Sequence, residues 1–154
     1  MSRYRELAQQ ERAIKEAIDF GKSLEMGRPE RAMIARFVCI LASGFIENVV
    51  RLHLIKFAQK SRPKPELACY VASSVGRFQN PKFDQILKLT GQFSDNWRKK
   101  LEQIDDSIKT AIESIVSNRH LIAHGATSQI SLAQVEQYME RLKEFARHFE
   151  ALCK

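Results

Sequence analysis

Apolar side chains return at every third or fourth position along nearly the whole chain, and few residues interrupt that rhythm. Leu7, Ile14, Ala17/Ile18 and Leu24 fit one face of a first helix, with Arg, Glu, Lys and Gln between them. That helix ends near Glu25-Met26-Gly27. Pro29 then reads as the first residue of a second helix, where its missing N–H costs nothing, and no breaker appears before about Gln59. The middle of this second helix, FVCILASGFI, is apolar all round, the pattern of a central core helix. Ser61-Arg62-Pro63-Lys64-Pro65 breaks it.

Leu67, Tyr70, Val71 and Val75 outline a short helix stopped by Gly76. Asn80-Pro81 reads as an N-cap and first-turn pair opening another short helix, with Phe83, Ile86 and Leu87 inside and Gly91 closing it. Ser94 caps a long third helix carrying Trp97, Leu101, Ile104, Ile108, Ile112 and Ile115. Ser131-Leu132-Ala133-Gln134 has the capping-box form that starts a last helix, whose buried side is Leu132, Val135, Tyr138/Met139, Leu142, Phe145 and Phe149. Only 6 Gly and 4 Pro in 154 residues leave few turns. With 44% hydrophobic and 28% charged residues the chain is globular in composition, and its size buries well over half of the unfolded surface. The expectation is one all-α domain over residues 1–154: a four-to-five-helix up-and-down bundle with a short helical insert between the second and third long helices.

The net charge of +7 comes with a pI of about 9.5, and the basic excess lies in the first 93 residues while the remainder is balanced. Such a field suits nucleic acid, although a solvated surface explains it almost as well. Cys39, Cys69 and Cys153 form an odd, widely spaced set with no CxxC, which points to a reducing compartment without disulfides. The N-terminal MSRYRELAQQERAIKE is charged throughout and has no apolar signal region. The most apolar stretch, Phe37 to Ile46, is shorter than the about 20 residues that a membrane span needs. A cytoplasmic chain without membrane contact is expected.

Chemistry concentrates where the third long helix meets the loop before the last one, at Asn118-Arg119-His120-Leu121-Ile122-Ala123-His124-Gly125. On an ideal helix Arg119 and His124 diverge by about 140°, at roughly 3.6 residues per turn. Gly125 suits a left-handed C-terminal cap, and a tightened last turn would swing His124 toward Arg119. Cleaving RNA by attack of its own 2′-OH needs a group that moves a proton near neutral pH, which histidine does. It also needs a permanent cation on the phosphate oxygens, for which the arginine fork is suited. Asn118 and His120 can add donors, and no metal is required. The same letters also fit a plain helix C-terminus that sets Arg and His against its dipole and stops at Gly.

The run from Asn118 to Gly125 resembles the signature of the HEPN superfamily, helical bundles in which Arg, four to six residues and then His define a ribonuclease site. The spacer here is four residues, and the position after Arg is His120. The long apolar second helix leading into Gly44-Phe45-Ile46-Glu47-Asn48 is most similar to the group named after RNase L and PSP-type HEPN domains. The resemblance implies a metal-independent endoribonuclease without cofactor, acting on RNA as a homodimer whose two motifs share one cleft. Arg119 would polarise the scissile phosphate and His124 would act as general acid/base. Asn118 and Glu47 would support the substrate, and His120 the substrate or its partner copy. Products would carry a cyclic phosphate and a 5′-hydroxyl. The usual settings are toxin–antitoxin pairs and anti-phage defence, so an antitoxin or activator protein is an expected partner. The alternative is a HEPN-like module that binds RNA, nucleotide or protein without cutting.

Other residues carry competing readings. His120 and His124 face one way, with Glu113 two turns back, so a zinc site is geometrically possible, but no HExxH motif or nearby cysteine accompanies them. Glu47 and Arg51, four apart, fit a salt bridge as well as a polar step facing the motif. His53 and His148 sit among charged neighbours and read as solvated surface. Trp97, heading the isoleucine stripe, reads as core. Lys60, Arg62 and Lys64 could touch an RNA backbone or simply be solvated.

Overall fold

A computed structural model describes residues 3–154; Met1 and Ser2, which open the charged N-terminal segment, lie outside the described residues. The chain order is α1 (Arg3–Ser23), α2 (Pro29–Lys60), α3 (Pro65–Gly76), α4 (Phe83–Phe93), α5 (Asp95–Glu102), α6 (Asp106–Ala123) and α7 (Leu132–Leu152), with no strand among the described residues. The four long helices α1, α2, α6 and α7 form the bundle, and α3, α4 and α5 make up the insert between α2 and α6.

Contacts fix the directions. The start of α7, at Leu132, lies against Gly21 near the end of α1 and close to Ile34 near the start of α2. At the other end Phe149 meets His53 of α2, ring centroids 6.3 Å apart. So α2 and α7 run parallel, and α6, hairpinned to α7, runs antiparallel to both. Gly21 matters here because a Cβ would stand 2.8 Å from Leu132 and 2.9 Å from Ile34; its bare backbone lets α1 close on the pair.

The core is built on α2. Phe45, Ile46 and Leu54 are fully buried with Ile14 of α1, Ile108, Ile112 and Ile115 of α6, and Leu142, Phe145 and Phe149 of α7. Each such side chain contributes about 1.5–3 kcal/mol of burial. Cys39 is buried among them, its thiol donating to the Ile115 carbonyl at 3.4 Å, and burial pushes its pKa up to about 12. Cys153 is buried likewise and also raised to about 12, whereas Cys69 is exposed. By length and composition α2 contains an 18-residue window apolar enough to cross a membrane, a longer stretch than the ten residues from Phe37 to Ile46, but half of that window is buried in the bundle.

Four local expectations are corrected. The third long helix is not continuous: α5 ends at Glu102, and Asp105 starts α6 by accepting a hydrogen bond from the Ser107 N–H at 2.7 Å. The Asp105-Asp106-Ser107 run is a helix start in its own right, and the isoleucine spacing runs across the break. Asn80-Pro81 does not open α4. Asn80 is left-handed, φ 46°, and α4 begins at Phe83, because carboxylates from two other helices pin this turn. Gly91 lies inside α4, beside the Arg98 stem, and the helix ends only at Phe93, where Ser94 turns extended and caps α5. His53 is buried, not solvated. Its Nδ1 sits 2.7 Å from the Val49 carbonyl one turn back, in the part of α2 that α7 covers. His148 is exposed as expected. Trp97 packs edge-on to Phe57 at 4.6 Å, the core reading.

Candidate functional site

The C-terminal end of α6 is organised from two sides. Inward, Ile108, Ala111, Ile112, Ile115 and Val116 anchor the helix in the core. At the tip, Gly125 adopts φ 69° and the chain closes with Ala126 N–H bonded to the Leu121 carbonyl at 2.9 Å and Gly125 N–H to the Ile122 carbonyl at 3.1 Å. That is a full left-handed cap, which satisfies the last carbonyls and fixes where the following loop leaves.

On the flank of this helix end is a groove of about 540 Å3, formed between α6 and the turn that leads into α4. Arg119, His120, Leu121 and Ser117 line one side; Asn80, Lys82 and Gln85 line the other. Arg119 is half-buried, and its side chain makes no hydrogen bond or ion pair among the described residues. His120 is exposed at the groove and meets His124 edge-on, ring centroids 4.3 Å apart. The last turn does not tighten: His124 N–H bonds to the His120 carbonyl at 3.1 Å, so the helix stays α-helical and His124 stands over His120. Arg119 and His120 share the groove, and His124, which meets His120, is not among the residues that line it.

Asn118 does a different job from its neighbours. Its amide N–H donates to the Ser114 carbonyl at 2.8 Å, and its oxygen accepts from the Ser128 hydroxyl at 2.7 Å. Ser128 is buried and accepts in turn from Ile130 N–H at 3.4 Å. Asn118 therefore fastens the loop after the motif to the helix that carries it.

Glu47 makes the salt bridge and is not among the residues that line the groove. One oxygen pairs with Arg51 at 3.2 Å, and the other accepts the Asn80 N–H at 3.1 Å. It stands behind the groove and holds the left-handed residue that lines it. Asparagine tolerates that conformation better than most residues. Glu113 is occupied in the same way, accepting the Phe83 N–H at 2.8 Å. It faces α4, and among the described residues no three metal-ligating side chains come together. Lys60, Arg62 and Lys64 lie at the far end of α2, where Lys60 is close enough to Cys153 to act on its thiol; none of the three lines the groove.

Sequence reasoning missed Asn80, Lys82 and Gln85. The one usable signal was Asn-Pro itself, which marks a left-handed turn as readily as a helix cap, and the choice rests on carboxylates more than thirty positions away in sequence. The RiboL-PSP-HEPN family model matches residues 3–154. No curated protein and no solved structure matches the chain.

Proposed function

The chain belongs to the RiboL-PSP-HEPN family, a membership that points to a nuclease or RNA-related role, and from it we propose a metal-independent endoribonuclease. The carrying observation is Arg119: a half-buried guanidinium without a partner among the described residues, opening into a groove beside His120, which touches His124. An unpartnered cation in a groove is disposed to take an anion, and the neighbouring imidazoles supply proton transfer.

In the proposed reaction the RNA 2′-OH attacks the adjacent phosphorus and the bond to the 5′-oxygen breaks. Arg119 holds the non-bridging oxygens as charge builds, and His124 moves the proton. His120 orients His124 or the substrate, and Asn118 and Glu47 are positioning residues, through the loop and through Asn80. A 2′,3′-cyclic phosphate and a 5′-hydroxyl result.

A homodimer with a composite site fits an uncovered stripe on α2. Met33, Phe37 and Ile40 are 59%, 51% and 42% exposed, and Gly44 faces open space on the same side. Beside the stripe, the buried Ser43 and the largely buried Glu47 hold Asn80 at the groove. A second copy on this stripe would bring its own motif close to the first. The setting that goes with this activity is the cytoplasm, as toxin or effector of a toxin–antitoxin or anti-phage system, restrained or triggered by a partner protein.

The second reading is a non-catalytic module that binds RNA, nucleotide or protein, and it is favoured by His124 packing on His120 outside the residues that line the Arg119 groove. Cleavage of a mixed RNA pool in EDTA separates the two. Wild type is expected to leave cyclic-phosphate ends, and Arg119→Ala and His124→Ala each to lose at least about 100-fold in rate with unchanged melting. If His124→Ala cuts like wild type, the site assignment falls. If wild type binds RNA without cutting, the module reading replaces the enzyme.

A further inference from the structure

The groove lined by Arg119 has a neighbour across Gln85. That side chain also lines a second depression of about 320 Å3, walled by Arg77, Phe78, Lys88 and Gln92. Across both depressions the charged lining residues are Arg77, Lys82, Lys88, Arg119 and the titratable His120, with no carboxylate among them. The side chains of the four permanent cations make no ion pair among the described residues. On α5 and α7, by contrast, Arg98, Lys99, Arg141 and Lys143 are each paired with a carboxylate on their own helix. Asp84, one turn from Lys88, does not pair with it either.

The spacing is regular. Gln85, Lys88 and Gln92 recur along one face of α4, with Lys82 at the N-cap just before it, and Gln85 to Gln92 spans about 10.5 Å of helix axis at about 1.5 Å per residue. That length takes more than one phosphate. Phe78, half-buried in the wall, offers a ring, and the glutamine amides both donate and accept. Unpaired cations in a row, an aromatic face and amides are the parts with which proteins hold single strands: charge on the backbone, stacking and hydrogen bonds on unpaired bases.

We infer that the α4 face is a subsite for the single-stranded RNA flanking the scissile phosphate, with Arg77, Lys82 and Lys88 on the backbone and Phe78 under a base. The inference rests on the ribonuclease reading for what the subsite serves. The strand leaves the Arg119 groove past Gln85 and follows α4 toward Gln92, so selectivity for the sequence beside the cut resides in the insert and not in the motif.

The test is binding of a fluorescein-labelled 2′-O-methyl oligonucleotide, which lacks the attacking hydroxyl and so cannot be cut, measured by anisotropy across a salt series. Wild type is compared with Arg77→Gln/Lys88→Gln and with a charge-matched control on α1 and α7, Arg12→Gln/Lys143→Gln. Loss of two phosphate contacts lowers the slope of log Kd against log salt by about 1.4, at about 0.7 per contact for single strands. The control keeps the wild-type slope. Phe78→Leu, which keeps an apolar side chain there but removes the ring, weakens binding roughly tenfold at every salt concentration without changing the slope. Equal slopes in wild type and the Arg77/Lys88 variant, or an equal fall in the control, overturn the subsite. Failure of wild type to cut ordinary RNA while this slope change persists overturns the ribonuclease reading alone.

Discussion

Replacing Asn118 by alanine removes two hydrogen bonds with different consequences. The Ser114 carbonyl already accepts the helical N–H four residues on, so losing the amide contact at 2.8 Å leaves no orphan and costs about 1 kcal/mol. The Ser128 hydroxyl is 7% exposed and loses the acceptor it holds at 2.7 Å, which adds about 1–2 kcal/mol for a buried group left short. A total near 2 kcal/mol lowers the melting temperature by about 4–8 °C in a domain of this size. A double-mutant cycle with Ser128→Ala isolates the pair: thermal or urea unfolding of the four proteins is expected to give a coupling of about 1 kcal/mol. The loop fastened by this pair follows His124, so on the proposed ribonuclease reading RNA cleavage by Asn118→Ala falls even at temperatures where the variant is fully folded. Additive single effects, within about 0.3 kcal/mol, or an unchanged melting temperature, would refute the fastening role.

Three further outcomes follow from the same structure. Iodoacetamide at pH 8 is expected to modify Cys69 alone in the folded protein and all three thiols after unfolding, read by intact mass. With values near 12, Cys39 and Cys153 are ionised in roughly one molecule in ten thousand at that pH. The Ser107 hydroxyl and backbone N–H hold the Asp105 carboxylate below its ordinary range. Its contribution to stability is therefore present above the unfolded value of about 4 and lost as pH falls through the lower folded value; Asp105→Asn, which keeps a capping oxygen, should flatten that part of the pH–stability curve. Gly125→Ala puts a Cβ on a residue at φ 69° and is expected to cost about 1 kcal/mol, with faster amide exchange in the last turn of α6.

Features set by neighbours in sequence were legible from the sequence. The three-and-four spacing gave each long helix its inner face. Ser94, Ser131 and Gly125 cap as their types require, and the Arg119-to-Gly125 run carried both the family resemblance and the expected site. Two of the errors share a cause. His53 looks solvated beside Arg51 and Lys56 but lies under α7, and nothing within a few residues of it encodes that cover. Asn80 reads as a cap until Glu47 and Glu113, from α2 and α6, take the N–H groups on either side of Pro81.

The sequence by itself determined an all-helical chain, its one apolar central helix and the presence of Arg119, His120 and His124 at a helix end, because periodicity and capping act over one or two turns. Only the tertiary structure decided that Asn118 secures a loop and that the groove takes its far wall from the turn before α4. Those outcomes depend on which helix faces cover one another, and burial and pairing across such faces are settled by the assembled bundle.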